Sequence, residues 1–217
     1  MLAFTRGIGR ARKSKAMRPV PPDGPMEALL VSTGVVALAE IGDKTQLLAL
    51  ILAARYRKPL PVAFGILIAT LANHGLAAWF GTLAAGWLGA EALRWILGLG
   101  FLAMAGWCLI PDKAGDGPRA AATAGAFLAT LIAFFLVEIG DKTQIATVAL
   151  AARFHDIVLV TAGTTLGMML VNVPAVLCGD GIARRMPLQP IRFAAAALFA
   201  VLGALTLLRL DFGLLAT

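Results

Sequence analysis

The heptapeptide Glu-Ile-Gly-Asp-Lys-Thr-Gln stands twice in this sequence, at 40–46 and again at 138–144. Each copy holds two carboxylates three residues apart, Glu40 and Asp43 in one and Glu138 and Asp141 in the other, followed by a lysine, a hydroxyl and an amide. On a helix, residues three apart share a face, so each pair is expected to present its acids together. Both copies sit inside long apolar stretches, where an ionisable group is costly and is a functional suspect by default. Four carboxylates against Lys44 and Lys142 leave a charge of −2 when all are ionised, which one divalent cation neutralises. Without that cation, the surplus charge in a low dielectric is relieved by about two protons instead, so exchange of metal for protons follows as a mechanism.

The donors narrow the ion. Carboxylates, with the Thr45 and Thr143 hydroxyls and the Gln46 and Gln144 amides in support, are oxygen ligands suited to Mn, Ca or Mg, and the motif has no His or Cys to favour Zn or Cu. Gly42 and Gly140 permit the backbone to unwind beside the acids, where freed carbonyls could coordinate an ion. The plainer reading is an intrahelical ion pair of Glu40 with Lys44 and of Glu138 with Lys142, four apart in the favourable order. Two lysines do not balance four acids, which favours a cation site. Asn73 and Asn172 recur in the two halves and either line the pathway or bond neighbouring helices. His74 has no counterpart, and His155 falls in an expected loop, so both read as bystanders; Met168 and Met169 read as packing.

The elements that must carry these residues are membrane helices. Hydrophobic residues make up 59% of the 217 and charged ones 14%, more apolar than a soluble domain can hide. Residues 61–90 and 157–179 contain no Asp, Glu, Lys or Arg, and shorter uncharged runs cover 95–110 and 193–208. A shift of 98 residues overlays the two motifs and also places Arg55 on Arg153, Gly65 on Gly163, Arg94 on Arg192 and Phe101 on Phe199, with Asn73 on Asn172 after a one-residue slip. This is an internal duplication. Each half supplies three spans, 28–53, 61–86 and 92–110, then 124–151, 157–179 and 190–209, with breakpoints such as Pro59, Pro61, Pro111, Gly117, Pro118, Pro187 and Pro190 between them. The expected fold is an all-α integral membrane protein of six transmembrane helices arranged as two inverted three-helix repeats, because an odd number of spans reverses the second half. The repeats occupy 26–110 and 124–210, joined by a loop at 111–123 and preceded by a basic, Pro-rich extension at 1–25.

Charge bears on orientation. The net charge of +7 is concentrated in that extension, and the hydrocarbon-like remainder points to a membrane surface rather than to nucleic acid. With residues 1–25 set aside, the core prefers both termini outside, which puts Arg55, Arg57, Lys58, Lys113, Arg119, Arg184, Arg185 and Arg192 inside and Arg94, Arg153 and Arg209 outside. Met26 is then a plausible true start. Ala37-Leu38-Ala39 resembles a signal-peptide cleavage site, but cutting there severs the first motif from its helix. Cys108 and Cys178 lie in apolar segments without CxxC spacing and suggest no disulfide or zinc site.

With its twin Glu-x-Gly-Asp-Lys/Arg-Thr/Ser motifs, the chain over about 26–210 resembles the Gdt-type cation transporter family, which includes bacterial manganese exporters and Golgi calcium/manganese transporters. The resemblance implies export of a divalent cation, Mn2+ or else Ca2+, in exchange for protons. It also implies metal ligation by Glu40, Asp43, Glu138 and Asp141, no resident cofactor, no enzymatic activity, and a multi-pass place in the bacterial inner membrane. The alternatives are an exporter of amino acids or other small solutes and, from the two Gly-Asp steps, an intramembrane aspartyl protease; the Glu in place of Gly at 40 and 138 and the identity of the two copies speak against the protease. Oligomeric state is left open.

Overall fold

In the computed structural model, the described residues are 24–110, 125–178 and 188–208, and they are all helical or turn. Eight helices are found among them: α1 (Pro25–Glu40), α2 (Lys44–Tyr56), α3 (Pro59–Trp87), α4 (Ala90–Cys108), α5 (Ala126–Glu138), α6 (Lys142–Phe154), α7 (Ile157–Cys178) and α8 (Leu188–Leu208). The sequence suggests six. The first expected span of each half, 28–53 and 124–151, is instead two helices, because the chain leaves helical geometry at 41–43 and at 139–141. The remaining four fall within about three residues of expectation. Residues 1–23 and the whole of the 111–123 loop lie outside the described residues, and so do Lys113, Arg119, Arg184 and Arg185.

Polarity is distributed inside out relative to a soluble protein. Glu40, Glu138, Asp43, Asp141, Asn73, Asn172 and His74 are buried, while Leu76, Trp79, Phe80, Leu166 and Leu170 are exposed on α3 and α7. Those two helices are long and apolar enough to cross a bilayer. In water such a surface would be a large aggregation liability; in lipid it is the ordinary outer face. Trp79, Trp87 and Trp95 point outward, in keeping with amphipathic anchors at an interface.

The halves embrace reciprocally. α3 lies along α5 and then α6, and α7 along α1. Gly65 is so close to α5 that a Cβ there would stand 2.8 Å from the Phe127 carbonyl, and the repeat-equivalent Gly163 meets the Leu29 carbonyl of α1 at 2.6 Å. Leu29 and Phe127 are themselves 98 apart, so the same close helix approach is built twice. α4 and α8 pack on each other, with Phe101 and Phe199 stacked at 6.2 Å, and rest against α1 and α6.

Candidate cation site

Each motif lies across a helix break. α1 ends at Glu40, Gly42 takes φ +80, and α2 starts after Asp43; α5 ends at Glu138, Gly140 takes φ +76, and α6 starts after Asp141. Only glycine adopts that backbone without strain. The same bonds close both turns: the Asp43 amide donates to the Glu40 carbonyl and the Asp141 amide to the Glu138 carbonyl, each at 3.0 Å. The Gln46 side-chain oxygen accepts from the Gly42 amide at 2.9 Å, and that of Gln144 from the Gly140 amide at 2.7 Å. The glutamines, expected as supporting ligands, here use that oxygen to hold the break open. The acids of a motif therefore do not share one helical face. Glu40 ends one helix and Asp43 caps the next, and both halves do the same.

Side chains then cross between the halves. Asn172 of α7 donates to Glu40 at 3.0 Å, and Asn73 of α3 donates to Glu138 at 3.2 Å. Thr45 also donates to Glu40, and Thr70 donates to Glu138 at 3.1 Å. Both glutamates are thus held by neutral donors. Both aspartates are held by ammonium groups from the opposite motif, Lys142 Nζ lying 3.0 Å from Asp43 Oδ1 and Lys44 Nζ 3.0 Å from Asp141 Oδ1. The intrahelical pairing of Glu40 with Lys44 and of Glu138 with Lys142 is replaced by these crossed pairs, because the break swings each lysine away from its own glutamate. Among the described residues, no three acidic, His or Cys groups gather at metal-holding distance.

The two half-sites differ in cover. The Lys142 side chain is 4% exposed and that of Lys44 31%. A small cavity reaches Gly42, Asp43 and Lys142 between Leu38, Cys108 and Arg192. Thr143, the repeat partner of Thr45, has a buried hydroxyl without a hydrogen-bond partner among the described residues, as do the second Glu40 oxygen and the Asn172 carbonyl oxygen. Buried oxygens left open in this way are available to an incoming cation. His74 is buried with both ring nitrogens unpartnered among the described residues, one position from Asn73; His155 ends α6 in the left-handed region, as Arg57 ends α2.

Arg192 and Thr70 were missed as site residues by sequence reasoning. Arg192 was visible as one of the core's positive charges and as the repeat partner of Arg94, which instead pairs with Glu91 and bonds the Leu207 carbonyl. Thr70 carried no signal, since its repeat position falls on Met168 or Met169.

The chain is similar to known proteins along most of its length. A family model described as "Divalent cation/proton antiporter GDT1" matches residues 28–116 and 126–211. A Vibrio cholerae protein named "Putative manganese exporter" is 53% identical over 191 residues, spanning 88% of this chain and 95% of that protein. A GDT1-like protein of Oryza sativa is 27% identical over 203 residues, 81% of this chain and 72% of the relative. One from Schizosaccharomyces pombe is 30% identical over 80 residues, 37% of this chain and 30% of its own length. No solved structure matches.

Proposed function

The chain belongs to the GDT1 family of divalent cation/proton antiporters, and from that premise we propose that it exports Mn2+ across the bacterial inner membrane against protons, using the two broken-helix motifs as one shared site. It is a membrane transporter and not an enzyme, which sets the protease alternative aside. Manganese is favoured over calcium by the name carried by the Vibrio cholerae relative, which this chain matches over nearly the whole of that protein's length. An all-oxygen donor set agrees with either ion.

The observation that carries the reading is the reciprocal burial of the two motifs. Glu40 and Asp43 of one half are held by Asn172 and Lys142 of the other, and Glu138 and Asp141 by Asn73 and Lys44. A structural ion pair has no need of two identical copies interlocked at two helix breaks, whereas a carrier site shared between repeats does. The chemistry is a charge balance. Two aspartates matched by two lysines leave the two glutamates, with neutral donors around them, to take either two protons or one divalent cation; in each case the buried site is neutral.

Six crossings in two inverted repeats provide the frame, with α1–α2 and α5–α6 each crossing as one interrupted span. Support for the inversion comes from direction. α3 meets Phe127, Glu138 and Val148 in rising order through Gly65, Asn73 and Gly81, so it runs parallel to α5–α6, the counterpart of the α1–α2 unit from which it turns back.

The test is cation-driven proton movement in proteoliposomes containing a pH dye, with Mn2+, Ca2+ and Mg2+ offered in turn. Proton counterflow with Mn2+, abolished by Glu138→Gln, is expected. Absence of coupled flux with every ion would overturn the reading.

A further inference from the structure

Resting on the reading that the two motifs carry the cargo, we infer that Lys142 and Lys44 are tethered competitors of that cargo, each ammonium holding the place on the opposite motif's aspartate that a divalent cation takes on loading. Both ammonium groups sit 3.0 Å from an aspartate oxygen, and the aspartates are nearly completely buried. Either lysine has a glutamate four residues earlier in its own motif, the spacing at which a structural pair forms at little entropic cost, yet each reaches into the other half instead. Four acids cannot give one ion their full set of oxygens while Oδ1 of each aspartate holds a lysine.

Loading is therefore an exchange of cations at the aspartates, alongside the exchange for protons at the glutamates. The cavity that reaches Asp43 also reaches Lys142 and Arg192, so an entering ion meets one carboxylate between two fixed positive groups. A monovalent ion brings no more charge than the ammonium it must displace, and the ammonium, bound to the same chain, competes at high effective concentration. A divalent ion brings twice the charge of either ammonium and also draws on the two glutamates once they lose their protons, so it wins. Lys44 and Lys142 thereby select valence, while the oxygen donors select among divalent ions. Release is assisted by the same groups, since each lysine returns to its aspartate as cargo departs.

Full-length protein in proteoliposomes tests this by Mn2+ uptake against concentration for wild type, Lys142→Gln and Lys142→Arg, each repeated with excess K+. For Lys142→Gln, KM is expected to fall about tenfold, as one fixed positive charge leaves a partly desolvated site, and kcat to fall with it as release slows. K+ should inhibit this variant and not the wild type. Lys142→Arg, which keeps the charge, should restore the wild-type KM and indifference to K+. An unchanged or raised KM in Lys142→Gln, with the wild type active, overturns the inference and leaves the cargo reading standing. Should Lys142→Gln not fold, Lys44→Gln at the more exposed pair reads the same shift by the same criteria. A wild type that moves no Mn2+ at all overturns the cargo reading and this inference with it.

Discussion

At the residue scale, the two aspartates have the same chemistry in different surroundings, and their variants separate function from stability. Asp43→Asn removes the anion from a lysine whose side chain is 4% exposed, and a buried ammonium stripped of its partner costs about 3–5 kcal/mol. Asp141→Asn strips Lys44, which is 31% exposed and so less desolvated, and the cost there is expected to be about 1 kcal/mol or less. Both variants are expected to abolish Mn2+ transport, because each deletes one of four ligand charges. Thermal unfolding in detergent should nevertheless show Asp43→Asn as much the less stable protein. Transport retained by either variant would contradict a shared site, and equal stabilities would contradict the difference in cover between the half-sites.

At the element scale, what sequence conveys and what it hides divide along physical lines. Span positions follow from the length of apolar runs, so the ends of α3, α4, α7 and α8 fall close to expectation. The breaks at 41–43 and 139–141 lie inside stretches apolar enough overall to read as one span each, and only Gly42 and Gly140 hinted that the backbone could leave the helix there. The role of Gln46 and Gln144 in holding the breaks open depends on a turn that sequence spacing does not reveal, and the crossed lysine pairs depend on how two distant segments dock. The four acids, by contrast, stood out at once as candidates, since a doubled cluster of charge in hydrocarbon is costly to bury. The break itself is open to test. A Cβ at Gly140 meets nothing within 4 Å, so Gly140→Ala creates no clash and acts only through its left-handed φ, at about 1–2 kcal/mol. Gly34, in the middle of α1, also has open space but helical geometry, and Gly34→Ala should be neutral or stabilising by up to about 1 kcal/mol. Gly140→Ala should lower both the unfolding temperature and the transport rate while Gly34→Ala lowers neither; equal effects would show that the turn is not what the site requires.

At the scale of the whole molecule, the two halves carry equivalent motifs, but the α4–α8 pair leans to one side, against α1 and α6. That lean brings the last residue of α4, Cys108, and the first turns of α8, Arg192 and Ala195, around the cavity at Asp43. The last residue of α7, Cys178, lies at the same end of the spans, because only residues 179–187 separate it from α8. By the positive charges of the core, excluding residues 1–25, this end is predicted to lie in the cytoplasm. In that orientation the cavity faces the compartment from which an exporter collects its cargo, so the described conformation is predicted to be the loading one. The chain provides its own reporter, for Cys178 is exposed and Cys108 buried. In a Cys108→Ala background, a membrane-impermeant maleimide should label Cys178 in inverted vesicles and leave it untouched in intact cells. Labelling in intact cells alone would reverse the orientation and turn the same cavity into the release side. Repeating the measurement on a chain beginning at Met26 separates the pull of the basic extension from that of the core, which alone should hold both termini outside.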